Sequence, residues 1–202
     1  MNMNFDRARF NMVEQQIRPW EVLDSRVLSL LESIHREDFV PVKYRKLAFA
    51  DMSIPLGFDQ VMMSPKVEGR LLQALNLGED DTVLEIGTGS GFITACLAAL
   101  AKRVVTVEIF DELHQNAKLR LGEKNIRNVE LFMADVMGGW QPEQAHDVVV
   151  VTGSVPVVPE QFLGWVNPGG RMFVIDGNSP AMENAPVFQP CLKAKRCPAE
   201  PR

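Results

Sequence analysis

The chain has 202 residues, of which 46% are hydrophobic and 23% are charged, and its formal net charge is −5. This composition is ordinary for a globular protein, and the length suits one domain with at most a small extension. The acidic balance disfavours a dedicated nucleic-acid-binding protein, which usually carries a basic surplus. The longest uncharged run, 86–101, is too short to span a bilayer, which needs about 20 apolar residues.

Cysteine usage and the N-terminus together predict a cytoplasmic protein. Charged side chains occupy the N-terminal positions where a signal peptide has its apolar core. The cysteines, Cys96, Cys191 and Cys197, are too few and too irregularly spaced for a disulfide framework or a metal site. We therefore expect no metal, no membrane partner and no nucleic-acid partner.

The first part of the chain, 1–78, predicts a helical lead-in that packs on the remainder. Residues 5–17 place apolar side chains on one face of a helix, and a second helix begins at Asp24 or Ser25. Residues 38–63 have mixed patterning and predict irregular structure. Ser64-Pro65 reads as a helix start, because serine caps helices and proline is favoured at the first helical position.

From residue 82 onwards short apolar strands alternate with helices. Strands are predicted over 82–86, 104–107, 129–133, 147–151 and 171–175. Helices are predicted over 92–101, 111–122 and 159–166, and a turn over 167–170. This alternation is typical of a mostly parallel sheet covered on both faces, and right-handed crossovers make it a doubly wound α/β core over 79–177.

A glycine-rich loop is the most informative motif. The segment 83–92, VLEIGTGSGF, leaves a strand, turns through three glycines and enters a helix whose free N–H groups can face a ligand. The third glycine of a dinucleotide fingerprint would fall at residue 92, which is Phe92, and the lysine of a phosphate-binding loop is missing. Glu85, just before the glycines, would repel a pyrophosphate but suits cationic or hydroxyl groups.

Two further carboxylates complete this pattern. Glu108 ends the second strand, about 20 residues after the first loop glycine, where a carboxylate commonly bonds ribose hydroxyls. Asp135 follows the third strand, within reach of an adenine edge. Together they outline a nucleoside ligand without phosphates. The alternative is that the glycines only make a tight turn and that the acids are solvated strand ends or loop residues.

These features resemble the class I S-adenosylmethionine-dependent methyltransferases. Several further motifs occur in order along the chain, namely REDFVP at 36–41, AFAD at 48–51, IPLG at 54–57, Gln60, Ser64-Pro65, VTGSVP at 151–156 and PGGR at 168–171. With them the chain is similar to the protein-L-isoaspartate O-methyltransferase family over about residues 20–177.

The resemblance implies a Rossmann-like fold, S-adenosylmethionine as cofactor, and methyl transfer to the carboxylate of an isoaspartyl residue in a damaged protein or peptide. The implied cofactor-binding residues are Glu85, Gly87, Thr88, Gly89, Gly91, Glu108 and Asp135. A carboxylate acceptor is already ionised at neutral pH, so the site mainly needs proximity, orientation and exclusion of water. His35, His114 and His146 are accordingly expected at the surface rather than as bases.

The acceptor segment departs from the family pattern. Family members usually carry Gly-Gln-Thr-Ile-Ser-x-Pro, whereas this chain has DQVMMSP over 59–65, with Val61 at the threonine and Met63 at the serine. We expect a more apolar acceptor pocket. The resemblance makes Ser64 and Asp51 catalytic candidates, although Ser64 can instead only cap a helix and Asp51 a turn. Gln60, Thr152 and Ser154 are the substrate-binding candidates, with the two hydroxyls alternatively bonding only the turn.

Alternative interpretations concern both the function and the C-terminal segment. The other functions are a non-catalytic S-adenosylmethionine-binding regulatory protein and a nicotinamide-dependent oxidoreductase. Phe92 and Glu85 disfavour the oxidoreductase.

The segment 178–202 holds five of the 13 prolines and predicts an irregular tail, hence a truncated or atypical C-terminal end of the fold. Without a closing hairpin the fifth predicted strand would be a sheet edge, through which a homodimer could form.

Overall fold

The computed structural model describes residues 4–155, 158–176 and 195–196. Its strands are β1 (Ile54–Gly57), β2 (Gln60–Met62), β3 (Thr82–Ile86), β4 (Arg103–Glu108), β5 (Val129–Met133), β6 (His146–Val155), β7 (Val166–Asp176) and β8 (Lys195–Arg196). Six of them form one sheet in the order β5-β4-β3-β6-β7-β8. The strands β3 to β7 pair in parallel, which confirms the predicted doubly wound α/β core.

The order of the sheet explains where a ligand can bind. The chain runs outward from β3 through β4 to β5 and then crosses back to β6 on the other side of β3. At such a reversal the carboxyl ends of the two central strands open a crevice. The central strands are covered on both faces, since Val148 to Val151 have no exposed surface, as a continuous β-branched run requires.

Within the described residues, five α-helices accompany the strands. They are α1 (Phe5–Met12), α2 (Ser25–Ser33), α3 (Pro65–Leu75), α4 (Phe92–Leu100) and α5 (Asp111–Glu123). Asn4 caps α1 and Asp24 caps α2 through their side chains. The predicted first helix continues beyond α1 as a π-helical segment, Val13–Ile17, and ends in a 3-10 turn that contains Pro19. None of the helices in the described ranges is long and apolar enough to cross a membrane.

The lead-in contains a β-hairpin, so the prediction of irregular structure over 38–63 was wrong for its last part. The strands β1 and β2 pair antiparallel around Phe58 and Asp59, which both have positive φ. Positive φ at both central residues is typical of a tight two-residue hairpin turn, but Asn-Gly or Asp-Gly normally supplies it. Phe-Asp gives no such signal, and the hairpin was therefore missed.

The end of the core also differs in detail from prediction. The short helix predicted over 159–166 is a 3-10 helix over 160–165. The segment 167–170, predicted as a turn, lies within β7 as an irregularity, because His146 pairs with Val166 and Val148 pairs with Arg171. Gly169 adopts φ of +79° there. Neither difference changes the predicted parallel arrangement, because β6 and β7 pair in parallel.

Most of the predicted tail, 178–202, lies outside the described residues. Its described residues, 195 and 196, form β8, which pairs antiparallel with β7 through Arg171↔Arg196 and Met172↔Lys195. This part of β7 therefore has a neighbour, and the prediction that β7 is an open edge was wrong at these positions. The division of the chain at 78/79 and 177/178 stays a prediction.

The lead-in and the sheet share one hydrophobic core. Apolar side chains from α1, α2 and α3 pack in the same cluster as α4 and one face of the sheet. Cys96 of α4 is fully buried there as a free thiol, and burial raises its pKa well above the usual value. His114 and His146 are also buried, at 7% and 2% exposure, so the expectation that they lie at the surface was wrong.

Candidate functional site

A cavity of about 240 Å³ opens at the carboxyl ends of β3, β4 and β6. Its walls come from the glycine loop, from the segments that follow β4 and β5, and from the hairpin strand β2. Among the lining residues are Glu85, Gly87, Thr88, Gly89, Glu108, Asp135 and Thr152, all predicted from the sequence, together with Gln60, Val61, Met62 and Met63. The topology thus brings the glycine motif and the acceptor segment to one cavity.

The glycine loop adopts backbone conformations that only glycine tolerates easily. Gly87, Gly89 and Gly91 all have positive φ, at +100°, +55° and +83°. A Cβ on Gly87 would lie 2.9 Å from both the backbone nitrogen of Gly153 and Oγ1 of Thr152. Gly91 is the N-cap of α4, so the loop delivers the N-terminus of this helix beside the cavity.

Glu108 is fixed to the glycine loop by its own hydrogen bonds. Its Oε2 accepts from the N–H of Gly89 at 2.8 Å, and its Oε1 accepts from the N–H groups of Ile109 and Phe110 at 3.0 Å each. A carboxylate has about four acceptor positions, and three are therefore filled. The fourth, on Oε2, is left for a ligand hydroxyl, which fits the predicted contact with a ribose.

Glu85 accepts hydrogen bonds from buried threonine hydroxyl groups. Its Oε2 accepts from Oγ1 of Thr94 at 2.5 Å and from Oγ1 of Thr106 at 2.7 Å, and Thr106 lies 2.7 Å from Oγ1 of Thr88. Its Oε1 is buried and has no hydrogen-bond partner among the described residues. Burial disfavours the charged carboxylate and raises the pKa of Glu85 to about 7.

Asp135 and Thr152 line the cavity but also hold local backbone. Asp135 is exposed, and its Oδ1 accepts from the N–H of Met137 at 2.8 Å. Thr152 donates from Oγ1 to the carbonyl oxygens of Ile86 and Gly87, at 3.0 Å and 2.5 Å. The hydroxyl of Thr152 therefore bonds the turn, as the alternative interpretation had it. The side chain of Ser154 lies outside the described part of the structure.

The acceptor segment forms an apolar wall. Val61, Met62 and Met63 line the cavity beside Gln60, whose Nε2 donates to the carbonyl oxygen of Phe58 at 3.2 Å. Val61 and Met63 occupy the positions where the family pattern has hydroxyls. The wall is therefore apolar at these two positions, and an acceptor pocket more apolar than that of the family stays a prediction.

The two predicted catalytic residues lie outside the lining of this cavity. Ser64 is at the N-cap position of α3, but its side chain makes no capping hydrogen bond, so the capping role proposed for its hydroxyl was wrong. Asp51 forms an ion pair with Lys66, at 2.7 Å between Oδ2 and Nζ. The pair of Asp51 with Lys66 includes no residue of the glycine loop.

Sequence reasoning missed Phe110 and Glu68, which both line the cavity. Phe110, between β4 and α5, lines the cavity and stacks on Phe58. Glu68 also lines it and is 1% exposed. Glu68 lies four residues after Ser64 on α3. Its ion-pair partner, Arg36, is 32 residues away along the chain, so no local pattern marked Glu68. Within the described residues no cluster of three or more His, Cys, Asp or Glu side chains could hold a metal ion.

The donors and acceptors of the cavity fit S-adenosylmethionine. The free acceptor position on Glu108 suits a ribose hydroxyl, and the unpartnered Oε1 of Glu85 suits a cationic or hydroxyl group. Gly87 lies too close to Gly153 and Thr152 to carry a side chain, so the base of the loop offers its backbone to a tightly held nucleoside.

Comparisons with known proteins agree with this geometry. The family model described as Protein-L-isoaspartate(D-aspartate) O-methyltransferase matches residues 7–185. A protein-L-isoaspartate O-methyltransferase from Petrotoga mobilis is 36% identical over 177 residues, covering 87% of this chain and 83% of the relative. One from Myxococcus xanthus is 40% identical over 153 residues, covering 76% and 72%.

Two solved structures show the same fold. A protein-L-isoaspartate O-methyltransferase matches with a TM-score of 0.69 and 24% identity over 83% of this chain, which spans 55% of that structure's chain. A Plasmodium falciparum protein, described as a putative protein-L-isoaspartate O-methyltransferase in complex with S-adenosyl-L-homocysteine, matches with a TM-score of 0.69 and 14% identity, covering 88% and 86%. Fold, cavity and sequence relationships converge, and the chain belongs to the protein-L-isoaspartate O-methyltransferase family of S-adenosylmethionine-dependent methyltransferases.

Proposed function

We propose that this enzyme methylates the free α-carboxylate of an isoaspartyl residue in damaged proteins or peptides in the cytoplasm. The observation that carries the proposal is that one cavity is lined by both the glycine loop and the acceptor segment 60–63. The names of the relatives from Petrotoga mobilis and Myxococcus xanthus support the acceptor.

The residues of the cavity suit a reaction that needs placement more than proton transfer. When bound, S-adenosylmethionine supplies a methyl group already activated by its sulfonium. In our proposal the glycine loop, Thr88, Glu108, Glu85 and Asp135 hold that cofactor. Gln60 and Thr152 face the acceptor side of the cavity. The apolar wall of Val61 and Met63 excludes water from the reacting groups.

Ser64 and Asp51 remain predictions for the acceptor side. The hydroxyl of Ser64 makes no cap bond and is thus available for another partner. A homodimer remains a further prediction, although β8 already covers part of the strand through which we expected it.

Calorimetry followed by a transfer assay tests the proposal. Binding of S-adenosylmethionine is measured first, and transfer of a tritiated methyl group to an isoaspartyl peptide is measured next. The control acceptor is the same peptide with ordinary aspartate. We expect cofactor binding and transfer to the isoaspartyl peptide alone. Cofactor binding without transfer to it would contradict the proposed acceptor, and no cofactor binding would contradict the whole assignment of the cavity.

The apolar wall favours one second candidate, an altered acceptor. Because Val61 and Met63 replace two hydroxyls, a carboxylate flanked by apolar groups would fit this wall better than a strongly hydrated one. Isoaspartyl peptides that differ only in the residue after the isoaspartate, leucine against serine, test this candidate. A preference for leucine supports the altered acceptor, whereas equal rates or a preference for serine contradict it.

A further inference from the structure

Arg36 is fully buried, with 0% exposure, and all three nitrogens of its guanidinium group contact other residues. Its Nε and Nη2 donate to the two carboxylate oxygens of Glu68 at 2.9 Å and 3.1 Å. Nη1 donates to the carbonyl oxygen of Ala48 at 3.1 Å and contacts Sδ of Met62 at 3.5 Å. Nη2 also donates to the carbonyl oxygen of Met63 at 2.6 Å. All five N–H donors of Arg36 thus have partners.

Three of these partners line the cavity, and Ala48 is the exception. Met62 and Met63 line the cavity, and so does Glu68, which forms the bidentate pair with Arg36. The guanidinium carbon also lies 5.5 Å from the ring centre of Phe92, the first residue of α4 after the glycine loop. One buried side chain therefore contacts both the acceptor segment and the helix that begins at the cofactor loop.

Stability alone explains this arrangement poorly. A buried ion pair contributes little net stability, because desolvation of the two charges offsets their attraction. A rigid guanidinium fork, by contrast, fixes the directions of several acceptors at once, which a lysine ammonium on a flexible stem does not. The fork holds the backbone of Met63 directly, whatever side chain that residue carries.

We propose that Arg36 is a positioning residue that sets the acceptor segment, residues 60–63, against the cofactor cavity, with Glu68 as its charge partner. The acceptor side of the reaction depends on this contact, since small misplacement of reacting groups costs much of the rate. The proposal rests on the proposed function only for the identity of the acceptor, because the placement of the segment can be measured without one.

A second buried pair provides a matched control. Nη2 of Arg9 lies 2.5 Å from Oε1 of Glu37, and the two residues are 5% and 3% exposed. The other ion-pair partner of Arg9 is Asp6, on the same helix. Replacing Arg9 with lysine perturbs a buried guanidinium of similar exposure, without removing any hydrogen bond to residues 60–68.

The experiment compares R36K, R9K and the wild type in two measurements. Amide hydrogen exchange reports on the backbone of 54–64, and steady-state kinetics use S-adenosylmethionine with the isoaspartyl peptide. For R36K we expect faster exchange at 60–64 and kcat/KM for the peptide lower by about 10²-fold, while the affinity for S-adenosylmethionine stays close to the wild type. For R9K we expect wild-type exchange at 60–64 and wild-type kinetics.

Other outcomes separate the two proposals. If R36K matches the wild type in exchange at 60–64, or if R9K changes it equally, the positioning role is overturned. If the wild type does not methylate the peptide, the proposed function fails and the exchange comparison still decides the role of Arg36.

If R36K does not fold, E68Q replaces it, because glutamine keeps the shape of Glu68 but removes its charge. Faster exchange at 60–64 supports the proposal, and unchanged exchange overturns it.

Discussion

Phe58 stacks on Phe110, with ring centres 4.8 Å apart and 16° between the planes. Phe58 is at the tip of the β1–β2 hairpin, with φ of +54°, and Phe110 lines the cavity at the start of α5. The hairpin carries the acceptor segment, and the stack therefore packs this hairpin against the cofactor half of the site. A bulky residue at positive φ is unfavourable, and such strain is commonly found at functional sites.

Substitution of Phe58 separates the stack from the backbone strain. We expect F58A to lower the free energy of unfolding by about 0.5–1.5 kcal/mol through loss of the stack, beyond the lost burial. F58G should be more stable than F58A, because glycine adopts positive φ without steric cost. Urea denaturation measures both, and a wild-type midpoint for F58A would contradict the role of the stack.

Gly87 should not tolerate even one methyl group. Its φ of +100° strains any other residue, and a Cβ would meet the backbone of Gly153 at 2.9 Å. We expect G87A to lose about 1–3 kcal/mol of stability from the strain and also to lose S-adenosylmethionine binding. The matched control is G122A in α5, where the added Cβ would meet nothing within 4 Å apart from its chain neighbours and the backbone of its own helix.

G122A should be neutral or gain up to about 1 kcal/mol, because alanine favours a helix more than glycine does. Thermal denaturation and calorimetry measure stability and binding of both variants. Wild-type cofactor binding by G87A would show that the glycine loop does not approach the cofactor closely.

Glu108→Ala should weaken S-adenosylmethionine binding by about 1–3 kcal/mol, through loss of a hydrogen bond to a charged group. It also leaves the N–H groups of Gly89, Ile109 and Phe110 without their acceptor, so the glycine loop loses support. The control is E130A on β5, whose exposed pair with Arg103 contributes little. Titration calorimetry checks this, and equal affinity of the two variants would mean that the ribose binds elsewhere.

The buried carboxyl group of Glu85 predicts a pH dependence of stability. Burial raises its pKa from 4.5 to about 7, so the folded protein holds a proton that the unfolded chain releases. The contribution of Glu85 is fully present below pH 4.5 and is lost as the pH rises through about 7. As the pH rises from 4.5 to about 7, the free energy of unfolding of E85Q should therefore fall less than that of the wild type.

The difference between E85Q and the wild type is the quantity to measure, by urea denaturation at several pH values. Burial lowers the pKa of His146 below 6.5, and this group stabilises the fold as the pH rises, opposite to Glu85. Its contribution is the same in both proteins and cancels. Parallel stability profiles would contradict the raised pKa of Glu85.

Regular parts of the fold could be predicted because their signals are local. The strand 82–86 and the glycine turn after it follow from apolar residues and glycines alone, and the structure confirms both. The β1–β2 hairpin could not be predicted, because its turn residues Phe58 and Asp59 adopt positive φ although Phe-Asp is not one of the usual pairs in two-residue hairpin turns.

The cofactor half of the site could be predicted more fully than the acceptor half, of which the sequence-predicted Gln60 and Thr152 line the cavity but Ser64 and Asp51 do not. Glu85 and Glu108 are marked by their spacing from the glycines, and the structure places both at the cavity. Ser64 was assigned by analogy within a segment that has diverged, and the structure places its neighbour Met63 in the wall instead. Arg36 was visible as part of a motif, but its contacts with Met63 and Glu68 depend on the tertiary fold.

The buried thiol of Cys96 provides a way to observe opening of the core. With no exposed surface and a raised pKa, Cys96 should react with alkylating reagents only when α4 separates from the sheet. In a chain carrying C191S and C197S, the labelling rate of Cys96 then reports the population of opened molecules. Because a bound ligand stabilises the closed form, S-adenosylmethionine should slow labelling in proportion to its occupancy, giving a binding assay that requires no methyl acceptor.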